Sequence, residues 1–267
     1  MMELTGNLRK MRVEHSNPVT YFLRVGEEEV TLNGLIGKEI TMDYLHKIHC
    51  IRCGRETSRS FAQGYCYPCF ISAPETEECV LKPELCRAHL GEARDMEYAR
   101  EHCLIDHVVY LSLTSGIKVG VTRNTQVPVR WIDQGAVKVI ELARTPNRYT
   151  AGLMEVEMKK HIQDKTNWRR MLRNEYDRGL DLPEKKEELA GKLSAEMQGY
   201  LSRDNQVTEI EYPVQHYPEK VRSLNFDKTD MVRGILEGIK GQYLIFTSGE
   251  VINIRKFGGY LVRFSTP

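Results

Sequence analysis

Two pairs of cysteines, each pair separated by two residues, set the strongest constraint on how this chain can fold. They are Cys50 and Cys53, and Cys66 and Cys69, in the pattern C-x2-C-x12-C-x2-C. Zinc takes four nitrogen or sulfur ligands in a tetrahedron, and two such short loops direct four thiolates at one point. The spacing therefore predicts a zinc site. Because the protein fills all four positions, we expect this zinc to be structural.

The remaining features of the cysteines favour metal binding over disulfides. All seven cysteines lie between Cys50 and Cys103, and reduced thiols that hold metal explain this clustering better than disulfides do. A redox role for the two CxxC pairs is the alternative, but no thioredoxin-like strand–helix–strand pattern surrounds them. The N-terminus lacks a leader pattern, and no apolar run approaches the ~20 residues that span a bilayer. We therefore expect a cytoplasmic protein without membrane contact.

Three further cysteines, accompanied by histidines, predict a second zinc site with an open choice of ligands. One set combines Cys86 and His89 with Cys103 and His107, whose spacings are acceptable for zinc. The other set contains Cys79, Cys86 and Cys103, completed by one histidine. The alternative is that these residues are buried thiols and solvated histidines, which is a common outcome for both residue types.

The bulk composition is that of a folded protein and does not identify a partner. Hydrophobic residues make up 41% of the chain and charged residues 28%, which excludes a disordered chain. The 38 Lys and Arg nearly balance the 37 Asp and Glu, so the chain as a whole is not drawn to nucleic acid or membrane. An anionic partner must therefore meet a local basic patch.

The order of patterns along the chain predicts an α+β protein with four parts. Residues 1–48 alternate as short strands, residues 49–106 form a zinc-binding segment, residues 107–204 form an α+β module with a helical extension, and residues 205–267 form a β meander. Both ends are β-rich, so they are candidates to pair in one sheet or small barrel.

The run HVVYLSLTSGIKVGVTR, residues 107–123, predicts a β-hairpin around a Thr-Ser-Gly turn. The period of two places Tyr110, Lys118 and Gly120 on the face opposite to the apolar one. Because glycine weakens the interior of a strand, Gly120 indicates either a bulge or a close approach of another group to the backbone.

These residues, with Arg130 and Glu155 further along, resemble the GIY-YIG nuclease superfamily, in the branch that writes its second motif as Lys-Ile/Val-Gly. The matching positions are Val108, Val109 and Tyr110 for the first motif, Lys118, Val119 and Gly120 for the second, Arg130 for the helical arginine, Glu155 for the metal-binding glutamate and Asn167 for a later asparagine. The resemblance covers about residues 107–175. It implies a three-stranded antiparallel sheet with flanking helices.

The resemblance also implies a chemistry, with catalytic roles for Tyr110, Lys118, Arg130 and Glu155. In the superfamily the glutamate holds one divalent metal, here magnesium or manganese, while the arginine offsets charge that builds on the phosphate oxygens and tyrosines orient or deprotonate the water. Lys118 stands where the pattern has a tyrosine. An ammonium group is a poor base unless burial lowers its pKa, so Lys118 more naturally binds phosphate. Whether the module cuts nucleic acid or only binds it therefore stays open.

Each of these residues also has a purely structural alternative. Tyr110 can fill a half-buried strand, Arg130 can pair on the surface, and Glu155 can form an ion pair with Lys159 one helical turn away. The chain as a whole, with IRCGR, QGYCYPCF, KVGVTR, RWIDQGA and GIKGQYLIF, resembles an uncharacterised bacterial family known only as a domain of unknown function. That second resemblance implies no activity.

A basic and aromatic stretch makes nucleic acid the expected partner. Between Lys159 and Arg178 seven basic residues stand against three acidic ones. They are Lys159, Lys160, Lys165, Arg169, Arg170, Arg173 and Arg178, with Trp168 and Tyr176 interleaved. Cations pair with phosphates and rings stack on bases, so we expect nucleic-acid contacts here and at Gly120 and Arg123 of the hairpin. A solvated helix face, and with it a non-catalytic zinc module that binds RNA, DNA or a protein, is the alternative.

Overall fold

The computed structural model describes residues 2–162 and 166–267 and has the α+β architecture expected from the sequence. The described residues form three β-sheets and several short helices. The chain divides into two compact units, of which the first combines residues 1–71 with 211–267 and the second comprises residues 72–210. None of the helices in the described residues is long and apolar enough to cross a membrane.

The elements are numbered along the chain. The strands are β1 (Met2–Asn7), β2 (Arg12–Glu14), β3 (Thr20–Val25), β4 (Glu28–Thr31), β5 (Glu39–Ile48), β6 (His107–Leu113), β7 (Ile117–Arg123), β8 (Lys138–Thr145), β9 (Val207–Glu209), β10 (Arg222–Ser223), β11 (Met231–Lys240), β12 (Tyr243–Phe246), β13 (Glu250–Asn253) and β14 (Tyr260–Thr266). The α-helices are α1 (Tyr67–Ser72), α2 (Met96–His102), α3 (Val129–Asp133), α4 (Arg148–Lys159), α5 (Trp168–Leu172), α6 (Leu182–Ala190) and α7 (Ala195–Gln198). Short 3-10 turns cover Asn33–Leu35, Pro74–Thr76, Glu78–Val80, Pro83–Leu85, Ala88–Leu90, Asn124–Gln126 and Ile254–Phe257.

The first unit is built on a sheet in which the two ends of the chain lie side by side. Its strand order is β1-β14-β5-β11-β12-β13-β10, and β1 pairs antiparallel with β14 from Met2↔Thr266 to Asn7↔Leu261. A smaller antiparallel sheet, β2-β3-β4, belongs to the same unit. Buried residues recur at every second position of β14, as expected where one face of a sheet is covered. The pairing of the two β-rich ends is therefore confirmed.

The central strand β5 leads directly into the first cysteine pair. β5 is held between β14 and β11, and Cys50 follows its end by two residues. The chain then folds back, with hydrogen bonds from Cys50 N to the Arg55 carbonyl and from Ile51 N to the Gly64 carbonyl, both 2.8 Å long. Helix α1 begins immediately after Cys66. The loop that carries these cysteines is thus anchored by a sheet strand at one end and a helix at the other.

The second unit contains a four-stranded antiparallel sheet in the order β7-β6-β8-β9. The resemblance to GIY-YIG nucleases implies three strands, and β9 adds a fourth beside β8. All seven residues of β6 are buried. On one face of β6, Val109 and Leu111 pack in one core with Met154 of α4. Alternation puts Tyr110 on the opposite face, where the centroid of its ring lies 5.8 Å from that of Trp131 of α3. The strand is therefore covered on both faces.

Helix α4 also supports the segment that carries the next two cysteines. The chain before α2 runs through short 3-10 turns, and one of them, Pro83–Leu85, packs against α4. A Cβ atom on Gly152 of α4 would lie 2.1 Å from the backbone nitrogen of Glu84. Only glycine permits this approach. The turn between Cys79 and Cys86 is consequently seated directly on the helix that bears Glu155.

Candidate functional site

The first four cysteines come together in the first unit, in residues 50–71, which we call the knuckle. The Sγ atoms of Cys50, Cys53, Cys66 and Cys69 all lie within 4.8 Å of one another. Cys53 Sγ is 3.8 Å from Cys66 Sγ. Zinc–sulfur bonds of about 2.3 Å in a tetrahedron separate the sulfurs by about 3.8 Å. The four cysteines therefore have the geometry to hold a metal such as zinc.

The backbone of the knuckle favours the thiolate form of Cys50. Burial opposes ionisation of this thiol, but the backbone N–H groups of Cys53, Cys66 and Arg52 donate to its sulfur and lower its pKa to about 6. Cysteine binds metal as a thiolate, so the same donors would stabilise the metal-bound state.

The remaining three cysteines form a second group, in the other unit. The Sγ atoms of Cys79, Cys86 and Cys103 lie within 4.8 Å of one another, and all three side chains are buried. The guanidinium group of Arg148 donates to Cys79 Sγ at 3.5 Å and to the His102 carbonyl at 3.0 Å. A buried cation beside three sulfurs offsets the negative charge of thiolates. This three-cysteine group also has the ligand type and spacing for a metal such as zinc.

His89 and His107, the histidines expected at this group, do not have a ring nitrogen within 4.8 Å of all three sulfurs in the described part of the chain. His89 stacks on Tyr149, with ring centroids 4.3 Å apart. His107 is buried, and its Nδ1 donates to the Ile105 carbonyl at 2.8 Å, which leaves the lone pair on Nε2. No described residue hydrogen-bonds to that Nε2 atom. Burial lowers the pKa of His107 to about 4, so the ring is neutral, as a metal ligand must be.

Tyr110, Gln134 and Arg130 form a hydrogen-bonded row in the second unit. The hydroxyl of the fully buried Tyr110 lies 2.9 Å from the side-chain amide of Gln134. With its amide nitrogen donating to Tyr110, Gln134 accepts through its amide oxygen from the guanidinium of Arg130 at 3.3 Å. Gln134 follows Arg130 by four residues, which puts both side chains on one side of the helical turn.

The charges of Arg130 and Glu155 both act on the Tyr110 phenol. Burial is the largest reason that the pKa of Tyr110 is raised, to about 12, while the Arg130 cation lowers it and the Glu155 carboxylate raises it. Glu155 is 8% exposed and lies 3.3 Å from the Lys159 ammonium. Lys118 stands opposite Ser112 in the register of β6 and β7 and is half-buried. Tyr110 thus responds to both Arg130 and Glu155, while the carboxylate of Glu155 is paired with Lys159.

Gly120 lies directly under the Tyr110 ring, and this contact yields the first testable prediction. The two residues are opposite in the register, and a Cβ atom on Gly120 would lie 2.6 Å from Cζ and Oη of Tyr110. Gly120→Ala therefore has to displace a buried ring, and we expect it to lower the free energy of unfolding by about 1–3 kcal/mol. Urea denaturation followed by circular dichroism measures this change.

The same hairpin supplies the matched control for that substitution. A Cβ atom on Gly116, in the turn, meets no atom within 4 Å. We expect Gly116→Ala to change the free energy of unfolding by no more than about 0.5 kcal/mol, as is usual for surface substitutions. If Gly120→Ala were as mild as Gly116→Ala, the close packing of Tyr110 on the strand would be wrong.

The residues expected to bind nucleic acid separate into two places. The first place comprises the C-terminal end of α4 and the whole of α5, with Lys159, Lys160, Trp168, Arg169, Arg170 and Arg173. Lys165 lies outside the described residues. The Arg169 guanidinium lies 4.3 Å from the centroid of the Trp168 ring. Arg123 is elsewhere, half-buried near Tyr98 and Cys103, and burial lowers its pKa.

Several of these cations already have carboxylate partners. Lys160 pairs with Glu157 at 2.5 Å, and Arg173 pairs with Glu175 at 2.7 Å. Arg170 lies 3.4 Å from Glu175 and also lines a cavity of about 520 Å³ between the β6–β7 turn and α6. Asn167, the later asparagine of the resemblance, caps α5 by accepting from the backbone N–H groups of Arg169 and Arg170.

Comparison with protein families assigns most of the chain. The family model described as protein of unknown function (DUF2797) matches residues 37–262. The chain belongs to this family. The match spans both cysteine groups and the row from Tyr110 to Gln134. All three features therefore lie in the part of the chain that the family model covers. No curated protein and no solved structure matches the chain.

Two residues of these sites were not anticipated from the sequence. Gln134 could have been found, because it lies in RWIDQGA four residues after Arg130, the spacing of neighbours on a helix. Arg148 had no such signal. It follows Cys103 by 45 positions (148 − 103), and only the fold brings its guanidinium to the sulfur of Cys79.

Proposed function

We propose that this member of the DUF2797 family is a zinc-containing, nucleic-acid-binding protein of the cytoplasm. The observation that carries the zinc part is the meeting of four Sγ atoms within 4.8 Å in the knuckle. Seven free thiols fit a reducing compartment. Because its four cysteines close the coordination sphere, the zinc of the knuckle serves as a scaffold.

The three-cysteine group is a second zinc site in this proposal. Its three thiolates leave one position, and His107 is the better candidate for it because its Nε2 lone pair is buried and has no hydrogen-bond partner among the described residues. His89 remains the alternative ligand. Arg148 would offset the excess negative charge of the trithiolate.

The nucleic-acid part of the proposal rests on the exposed start of α5. There the Arg169 guanidinium lies over the ring of Trp168, with Arg170 beside it. A cation and an aromatic ring on one surface serve the two parts of a nucleic-acid strand, the phosphate and the base. Lys159 and Lys160 extend the basic surface along the end of α4.

The double substitution Arg169→Glu with Arg170→Glu tests this surface. Each reversal replaces attraction to phosphate by repulsion, so we expect weaker binding to all sequences alike and a shallower dependence of affinity on salt. Two lost phosphate contacts correspond to a slope lower by about 1.8 on duplex DNA. Fluorescence anisotropy with a labelled duplex at several salt concentrations measures both quantities.

A second double reversal controls for net charge. Lys192 and Arg203 are exposed residues of the same unit that lie outside the proposed surface. Lys192→Glu with Arg203→Glu changes the net charge equally and is expected to leave most of the affinity and the slope in place. Equal losses in the two variants would reduce the binding to a general charge effect, and no binding by the wild type at low salt would refute the proposal.

Cleavage of a phosphodiester by the same unit is a second candidate function, favoured by the electrostatic effects of both Arg130 and Glu155 on Tyr110. Here Glu155 would hold one magnesium or manganese ion, which supplies Lewis-acid activation of the phosphate. Arg130 would offset charge on the phosphate oxygens. With a pKa of about 12, Tyr110 stays protonated at neutral pH and acts as a hydrogen-bond donor, not as a base.

Two features favour binding without cleavage. Tyr110 is fully buried and held by Gln134, and Lys118 stands where the superfamily pattern has a second tyrosine. An ammonium group binds phosphate as a point charge and does not act as a base at neutral pH. Binding alone and cleavage assign different roles to Glu155, which is an ion-pair partner of Lys159 in the first case and a metal ligand in the second. Substitution of Glu155 therefore distinguishes the two functions.

A further inference from the structure

The knuckle presents an aromatic ring to solvent between two of its metal ligands. Tyr67 is 57% exposed and is the first residue of α1, directly after Cys66 and two residues before Cys69. Its ring lies 5.5 Å from that of Phe61, which in turn stacks on Phe70 at 5.6 Å. The backbone of Tyr67 lies between two of the four cysteines, and its side chain contacts the half-buried Phe61 ring, so little order has to be gained when a partner binds.

The loop before this ring is rich in arginine. Arg52, Arg55 and Arg59 are all exposed, and Glu56 is the one acidic residue in residues 50–71, all of which are described. The Arg59 guanidinium lies 5.1 Å from the centroid of the Phe61 ring, the ring that supports Tyr67. The Arg59 cation therefore lies against the same aromatic cluster as the exposed Tyr67 ring, a combination that suits a ligand that alternates planar bases and anionic phosphates.

The accessible face of Tyr67 favours a single strand over a duplex. In a duplex the bases are stacked on one another and offer only their edges, whereas unpaired bases can lie on a protein ring. We propose that Tyr67, with Arg55 and Arg59, forms a base-stacking surface for single-stranded nucleic acid on the knuckle of the first unit. The inference rests on the proposed nucleic-acid binding but uses residues of the other unit.

Substitution of Tyr67 tests the stacking directly. Tyr67→Ala should weaken binding of labelled oligo-deoxythymidine and of oligo-uridine about tenfold or more, the loss that follows removal of one stacking ring. Tyr67→Phe keeps the ring face and should bind both strands like the wild type. Binding of a labelled duplex should be unchanged in both variants. Anisotropy titrations measure all three ligands, and zinc content and thermal unfolding confirm that the variants are folded.

The arginines provide an independent second variant. Arg55→Ala with Arg59→Ala should retain zinc and lower the salt slope of single-strand binding by about 1.4, corresponding to two lost phosphate contacts. If these arginines served only to neutralise the zinc thiolates, the variant would lose zinc and its salt slope would not fall. That outcome would overturn the inference.

The remaining outcomes separate this inference from the proposed function. If Tyr67→Ala bound single strands like the wild type while the Arg169→Glu, Arg170→Glu variant lost binding, the proposed function would stand and the stacking surface would be refuted. Equal losses by Tyr67→Ala and Tyr67→Phe, or equal losses on single strands and duplex, would also refute it. A wild-type protein that binds neither form at low salt would remove both.

Discussion

Cys53→Ser is expected to release the zinc of the knuckle and to destabilise the first unit. Serine oxygen is a poor replacement for a thiolate, and the binding energy of a structural zinc is coupled to folding, with about 10–16 kcal/mol measured in small zinc fingers. In the folded chain Cys53 Sγ is 3.8 Å from Cys66 Sγ, so its loss removes one corner of the tetrahedron. Zinc determination and thermal unfolding should show one zinc fewer and a lower melting temperature.

A substitution in the same loop separates loss of the ligand from loss of local packing. Ser58 is exposed and lies between the two cysteine pairs. We expect Ser58→Ala to keep the zinc content and to change the free energy of unfolding by no more than about 0.5 kcal/mol. A Cys53→Ser protein with the melting temperature and zinc content of the Ser58→Ala protein would show that the knuckle is not held together by metal.

If the second unit cleaves nucleic acid, Glu155→Gln is expected to abolish the cleavage with magnesium or manganese, while folding and binding stay nearly intact. A one-metal site loses its metal without its carboxylate, whereas the isosteric amide of glutamine keeps the packing of Glu155 and its place beside Lys159. Arg130→Ala should lower the rate about 10²-fold or more, as removal of a charge-stabilising donor does. Labelled single- and double-stranded DNA and RNA serve as substrates.

Lys118 supplies an internal test of the same site. If Lys118 only holds phosphate, Lys118→Tyr restores the residue of the superfamily pattern and should preserve or raise cleavage. Lys118→Glu should repel the substrate, since it reverses a charge on β7, the strand that pairs with the strand of Tyr110.

Glu157→Gln is the matched control for Glu155→Gln. Glu157 lies on the same helix and pairs with Lys160, but it is not part of the group around Tyr110. We expect its substitution to leave cleavage unchanged. A wild-type protein that binds nucleic acid but cuts neither DNA nor RNA with any divalent metal would assign the protein to the non-catalytic alternative.

The features that sequence predicted well are those fixed by neighbouring residues. The sulfurs of Cys50 and Cys53 lie close together because only two residues separate them, and the same holds for Cys66 and Cys69. The hairpin of β6 and β7 follows from alternation around a turn, and its register puts Gly120 under Tyr110, which explains the glycine inside a strand. Local geometry sufficed in each case.

The features that were not predicted depend on contacts between distant residues. Alternation suggested one apolar and one polar face for β6, but helices cover both faces, and the whole strand is buried. The ligand set around Cys79 stayed open because spacing cannot tell which of several histidines approaches three sulfurs. Arg148 reaches Cys79 only through the packing of α4 on the turn at Pro83–Leu85, which Gly152 allows.

The most direct test of the central claim is the count of zinc ions in the freshly purified wild-type chain by native mass spectrometry. We expect two zinc ions per chain, one removed by Cys53→Ser and the other by Cys86→Ser. A single zinc that survives Cys86→Ser would confine the metal to the knuckle and contradict the second site. A native mass equal to that of the polypeptide alone would contradict the claim that zinc orders this protein.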